Sequence, residues 1–146
     1  MFYVGIDIGK RSHAVALLDN RGSVQAKPFT IANSKVGAER LLQRVEQVKP
    51  RQEAVVFGME ATGHYWLPLY SCLSDRGHQV IVLNPLQTNA YRRMHIRPVK
   101  NDKVDAVCIA EFLRLEPLVE SALTSEVILN LRTLSRLRME IGCFVG

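Results

Sequence analysis

Four carboxylates in this sequence stand where a strand is predicted to end or a helix to begin. Asp7 interrupts an apolar run near the start of the chain, and Glu60 directly follows a second apolar run. Asp102 and Asp105 are three residues apart, so the first turn of a helix projects both from one face. Two such charges ~4 Å apart repel by ~4 kcal/mol at an effective dielectric of 20, so a convergence of all four requires cations. Hard, oxygen-seeking Mg²⁺ or Mn²⁺ suits these ligands better than zinc, and two such ions would clamp a phosphodiester.

Each acid also has a purely structural interpretation. The helix dipole favours acids in a first turn, which accounts for Asp102 and Asp105 without a metal. Glu60 could cap the helix that follows it, and Asp7 could close its strand facing solvent. All four arising by chance at suitable positions is harder to explain, so a metal site is the preferred hypothesis.

Basic residues are concentrated beside the second pair of acids. The chain carries a net charge of +5 at pH 7, and six basic residues fall within twelve positions. A solvated basic face is the ordinary interpretation, but contacts to phosphate fit better if an acidic metal site lies alongside. His64 could also lie near a metal, although a histidine at a helix start more often bonds to the backbone. The predicted nucleic-acid contacts are Lys10, Arg92, Arg93, Arg97, Lys100 and Lys103.

Composition places the chain among globular proteins. Its 146 residues, 47% of them apolar and 23% charged, suit one domain with a real core. No apolar run approaches the ~20 residues of a membrane helix, and Asp7 and Lys10 break the N-terminal run, so we expect a cytoplasmic protein without a signal peptide. Cys72, Cys108 and Cys143 are odd in number and far apart, which predicts free, mostly buried thiols.

The elements that must position the acids begin with a predicted three-stranded antiparallel meander. Strands at residues 3–8 and 13–18 are followed by a hairpin signal at residues 19–22 and a third strand at about 23–31. Pro28 indicates that the third strand lies at an edge or carries a bulge. Further strands are predicted at 53–59 and 79–83, with helices at about 34–49, 62–76, 85–94, 101–115 and 124–146.

This order predicts an α/β fold in which a mixed five-stranded sheet is flanked by helices. The first and fourth strands can lie side by side and parallel, which would bring Asp7 near Glu60 in a ribonuclease-H-like arrangement. The final helix has the apolar spacing of a coiled coil, although two to three heptads could equally pack on their own domain. The predicted apolar stripe of the helix at 101–115 consists of Val104, Val107, Cys108, Phe112 and Leu115.

Four sequence blocks, in the same order, resemble the N-terminal domain of the DEDD transposases of the IS-one-ten type, which are relatives of the Piv DNA invertase. The blocks are Gly-Ile-Asp-Ile-Gly-Lys from Gly5, Met-Glu-Ala-Thr-Gly-His-Tyr-Trp from Met59, Asn-Pro at Asn84 and Lys-Asn-Asp-Lys-Val-Asp-Ala from Lys100. The resemblance implies a RuvC-like fold with a metal-binding catalytic tetrad at Asp7, Glu60, Asp102 and Asp105.

The resemblance also implies an activity and its partners. These are Mg²⁺- or Mn²⁺-dependent DNA strand cleavage and rejoining in a bacterial or archaeal nucleoid, guided by a bridge RNA. Residues 1–120 would form the catalytic domain, and residues 121–146 would start a coiled coil that joins copies of the chain into a homo-oligomer. The family's C-terminal domain, which carries a nucleophilic serine, would lie beyond Gly146, so we expect a fragment without complete recombination activity.

Two other functions remain open. Sugar-kinase and actin-like ATPases also begin with a Gly-Ile-Asp-Ile-Gly strand, but they need a duplicated domain and a second phosphate loop. A non-catalytic RNA-binding and dimerisation module would use the basic residues and the final helix. That module predicts salt-dependent RNA affinity that survives the loss of all four acids.

Overall fold

The computed structural model describes residues 1–61, 63–95 and 102–115, with the side chains of His95 and Asp102 excepted. Several predictions lie outside these residues: Arg97, Lys100, Cys143 and the helix at 124–146. Within the described part of the chain, no helix is long and apolar enough to cross a membrane.

A five-stranded mixed sheet forms the centre of the molecule, in the strand order β3-β2-β1-β4-β5. The β1–β2 and β2–β3 pairs are antiparallel, whereas β1–β4 and β4–β5 are parallel, as predicted. The strands are β1 (Phe2–Asp7), β2 (Ser12–Leu18), β3 (Phe29–Ala32), β4 (Val55–Glu60) and β5 (Gln79–Leu83), and the helices are α1 (Lys35–Val48), α2 (Leu67–Asp75), α3 (Pro85–His95) and α4 (Asp102–Leu115).

The turn after β2 is confirmed, but the strand predicted to follow it at once is not. Asp19 accepts hydrogen bonds from two backbone amides of the turn at 2.9 Å each, and Gly22 adopts a φ of 84°. Only an isolated bridge between Leu18 and Val24 precedes β3. Pro28 has no N–H to give to a ladder, so regular pairing begins only after it, at Phe29.

Two helix starts show how local chemistry sets a boundary. The Ser34 hydroxyl accepts a hydrogen bond from the Gly37 amide at 3.1 Å, which caps α1 as predicted. The prediction of a helix from residue 62 was wrong, because α2 begins only at Leu67. Gly63 takes a positive φ of 61°, which no right-handed helix contains, and the Trp66 indole N–H bonds to the Gly63 carbonyl at 3.1 Å.

The two faces of the sheet are packed differently because successive side chains of a strand point to opposite sides. Large apolar residues of β1 and β4 meet α1 and α2 on one face, among them Val4, Ile6, Phe57 and Met59. On the other face α4 lies almost against the strand backbones. A Cβ atom at Gly5 would collide with the backbone of α4, and one at Gly58 would collide with the Leu113 side chain.

Because of this close approach, the buried residues of α4 differ from the predicted apolar stripe. Val104, Val107 and Phe112 are only half-buried, and Leu115 is 50% exposed. The helix needs small residues where it crosses Gly5 and Gly58. The face that it packs against the sheet is therefore not the face that carries its bulkiest apolar residues. The buried residues of α4 are Ala106, Cys108, Ile109, Ala110 and Leu113.

Candidate active site

Asp7 and Glu60 lie on the face of the sheet that α4 covers. The parallel register pairs Gly5 with Gly58 and Ile6 with Met59, so the next step sets the two acids side by side at the ends of β1 and β4. Each acid is two residues beyond a glycine that faces α4, and period-two alternation gives it the same direction. The prediction that parallel pairing of the first and fourth strands brings their ends together is confirmed.

Glu60 is a buried carboxylate held by two partners from α3. The Thr88 hydroxyl donates a hydrogen bond to Glu60 Oε1 at 2.6 Å, and Arg92 Nη2 lies 2.8 Å from the same oxygen. A buried charge is tolerated only when it is paired and hydrogen-bonded, and both conditions are met here. Glu60 does not cap the following helix, since the N-cap of α2 is Trp66 without a side-chain bond.

Arg92 joins Glu60 to the first turns of α4. Its Nε lies 3.4 Å from Asp105 Oδ1, while Nη1 donates to Asn89 Oδ1 at 2.9 Å. Burial by itself would lower the pKa of Arg92, but the nearby carboxylates of Glu60 and Asp105 reverse this and the pKa is raised. One guanidinium therefore gathers two of the four predicted site carboxylates, which come from β4 and α4.

Asp7 lines a neighbouring cavity of about 210 Å³ between the ends of β1 and β2 and the start of α4. Lys103, which is exposed, lines the same cavity and brings a positive charge beside the strand end. Asp102 is the first residue of α4, and its side chain is not among those that the structure describes. Among the described residues, no three His, Cys, Asp or Glu side chains form a group that could hold a metal ion.

The donor chemistry nevertheless fits a hard divalent cation. Asp7, Glu60 and Asp105 offer only oxygen ligands, which Mg²⁺ and Mn²⁺ prefer. The carboxylates of Glu60 and Asp105 already share one positively charged group, the guanidinium of Arg92. In the structure the position between these two acids is held by Arg92.

The remaining residues singled out in the sequence differ in their exposure. Lys10 and Arg93 are exposed, as contacts to phosphate require. His64 is exposed and lies against Tyr65, with 4.4 Å between the ring centroids, while Trp66 is a core residue that is 2% exposed. Cys72 and Cys108 are free and buried, as predicted.

Sequence reasoning missed a buried polar network behind the loop after Asp7. His13 Nδ1 accepts a hydrogen bond from the Gly9 amide at 3.1 Å, so its proton is on Nε2 and is donated to Asn33 Oδ1, also at 3.1 Å. The Asn33 amide in turn donates to the Lys10 carbonyl at 2.9 Å. The network fixes the loop that carries Lys10. A histidine at the start of an otherwise apolar strand was the signal that could have revealed it.

The partners of Glu60 were also missed. Thr88 and Arg92 are four residues apart, a spacing that puts both on one face of α3, and this was visible in the sequence. The spacing does not predict which residue they contact, because their partner, Glu60, belongs to a different element, β4.

Comparison with known proteins places the chain in a family. A model of the IS110-type DEDD family, described as "Transposase", matches residues 4–142. The pilin gene-inverting protein of Moraxella lacunata is 27% identical over 110 residues, which cover 75% of this chain and 33% of that protein. The mini-circle putative transposase for IS117 of Streptomyces coelicolor is 29% identical over 115 residues, covering 78% of this chain and 27% of that protein.

The fold has a solved counterpart. The structure of T. thermophilus RuvC in complex with a Holliday junction substrate matches with a TM-score of 0.50 at 15% identity, covering 75% of this chain and 90% of that one. This likeness shows that the fold is RuvC-like, of the ribonuclease-H kind. The chain spans a third or less of the length of the curated relatives it matches. Since the family model extends over nearly all of the sequence, the chain belongs to the IS110-type DEDD transposase family.

Proposed function

We propose that this chain is the metal-dependent catalytic part of a DNA transposase or recombinase, which cuts and rejoins DNA strands in the cytoplasm. The observation that carries the proposal is the arrangement of acids at one end of the sheet. Glu60 and Asp105, from distant parts of the sequence, meet at one guanidinium on the face where Asp7 also lies. A purely structural sheet end has no need to gather acids on the face that packs against a helix.

Asp7, Glu60, Asp102 and Asp105 are the residues that would hold Mg²⁺ or Mn²⁺. When bound, the ion supplies Lewis-acid stabilisation of the charge that develops on phosphodiester oxygens. Within the chain, Thr88 orients the Glu60 carboxylate, and the close packing of α4 on the glycines sets the height of Asp105 above the sheet.

Basic residues around this end supply a surface for nucleic acid. Lys10 and Arg93 are exposed, and Lys103 stands beside Asp7 at the cavity. We propose that they contact phosphates of DNA or of a guide RNA, together with Arg97 and Lys100. The same proposal includes a homo-oligomer joined through residues 121–146. Affinity for nucleic acid should then fall steeply with salt concentration.

The proposal is tested by measuring the melting temperature of the 146-residue chain with and without Mg²⁺ or Mn²⁺. At one hundred times the dissociation constant a single bound ion should raise it by about 5–10 °C. Asp7→Asn and Glu60→Gln should abolish this shift. Glu46→Gln, which removes an exposed acid of α1 far from the site, should retain it.

Two outcomes would count against the proposal. A shift that persists in both site variants would place any bound metal elsewhere. Salt-dependent RNA binding that is unaffected by loss of all four acids, without any metal-induced shift, would favour the non-catalytic RNA-binding module instead.

A further inference from the structure

The guanidinium of Arg92 lies where two of the proposed metal ligands meet. It contacts Glu60 Oε1 through Nη2 at 2.8 Å and Asp105 Oδ1 through Nε at 3.4 Å. Both carboxylates direct an oxygen at this one group, so an ion shared by them would stand beside the positive charge of the guanidinium in its present position. Like charges at such distances repel strongly in a partly buried site.

Arg92 is held at the edge of the site and is not locked in the core. Its side chain is 24% exposed, and besides the two acids it contacts Asn89 on the exposed side of α3 and the buried Cys108 of α4. Arg92 Nε is buried without a hydrogen bond of good geometry, so its pairing with Asp105 is the weaker of the two contacts. A long side chain with one end near solvent can rotate outward without unfolding the helix that carries it.

We infer that Arg92 is a built-in counter-cation that competes with the divalent metal for Glu60 and Asp105. Metal loading then requires the guanidinium to leave at least one of these carboxylates. The inference rests on the proposed function, since it concerns the same acids. It assigns to Arg92 a role in regulating metal affinity, in place of a contact to phosphate alone.

The competition is measured as Mn²⁺ affinity, by calorimetry or by the electron paramagnetic resonance signal of free Mn²⁺. Arg92→Gln removes the charge, so it should bind Mn²⁺ at least about tenfold more tightly than the unaltered chain. Arg92→Lys keeps the charge but cannot span two carboxylates with one planar group, so its affinity should lie between the two. Arg40→Gln makes the same charge change at an exposed position of α1 and should leave the affinity unchanged.

Stability without added metal gives a second readout. Arg92→Gln leaves two carboxylates without their shared partner, so its melting temperature should be lower before Mn²⁺ is added and should rise more on addition than that of the unaltered chain. If Arg92→Gln fails to fold, Arg92→Lys must still bind Mn²⁺ more tightly than the unaltered chain.

The outcomes separate the two proposals. Equal or weaker Mn²⁺ binding by folded Arg92 variants, with binding by the unaltered chain intact, would overturn the competition and leave the metal site standing. Binding by none of the proteins would overturn the proposed metal site, and the competition with it.

Discussion

The two faces of the sheet are built from the same strands but are stabilised by different means. The face towards α1 and α2 is filled by large side chains such as Ile6 and Phe57, and its stability comes from the volume of apolar groups removed from water. The face towards α4 is lined by Gly5 and Gly58 and ends in acids that are paired across elements. The first face therefore depends on the volume of its apolar side chains, whereas the second depends on two positions without side chains and on the pairing of its acids.

The largest effect on stability is expected on the apolar face. Leu41→Ala removes a fully buried side chain of α1 and should lower the free energy of unfolding by about 2–5 kcal/mol, measured by urea denaturation. Mn²⁺ affinity of the folded protein should stay within about twofold, because the site lies on the other face. A large loss of affinity would mean that the two faces are not independent.

The converse substitution is Gly5→Val. Its Cβ would meet the backbone of α4, so the helix must shift at a cost of about 1–3 kcal/mol in unfolding free energy. The metal-induced shift in melting temperature should be lost together with this stability, because Asp105 moves with the helix. Retention of the full shift would show that the height of α4 does not control the site.

A smaller effect is expected at the hydroxyl that orients Glu60. Thr88→Val should cost about 1–2 kcal/mol of unfolding free energy, since Glu60 loses a 2.6 Å hydrogen bond but keeps Arg92. A double-mutant cycle with Glu60→Gln measures the coupling of the pair. Additive effects of the two substitutions would contradict a direct role of Thr88.

The smallest effect concerns pH and the network behind Asp7. Burial lowers the pKa of His13 below its usual 6.5, although Asn33 partly offsets this. The unfolded chain therefore takes up more protons than the folded one below about pH 6.5, so stability is full above that pH and is lost as the pH falls. Burial lowers the pKa of His78 too, which adds to the same trend.

His13→Gln should flatten this dependence between about pH 7 and 5, and thermal melts across that range measure it. An unchanged slope in His13→Gln would assign the pH dependence to other groups.

Much of the fold follows from the sequence, because its local signals agree with the global arrangement. Apolar runs with β-branched residues located β1, β4 and β5, and the hairpin signal after Leu18 predicted the antiparallel order of β2 and β3. The errors came where a single residue overrides a pattern. Pro28 delays β3, and the positive φ of Gly63 delays α2.

The site was less predictable, since it depends on contacts between elements. The approach of Asp7 and Glu60 follows from a parallel pairing that strand patterns imply. The buried face of α4 could not be predicted from the pattern of that helix alone, because it depends on Gly5 in β1 and Gly58 in β4. The position of Arg92 on Glu60 and Asp105 could not be derived either, and its predicted phosphate contact stays a prediction.

The central position of β1 has a consequence for synthesis on the ribosome. β1 pairs on one side with β2, which emerges at once, and on the other with β4, which emerges much later. Until then the nascent chain presents an open strand edge that can join another polypeptide. The acids assemble only after α4 has also left the exit tunnel, so an incomplete translation product would be prone to aggregate before the candidate site has formed.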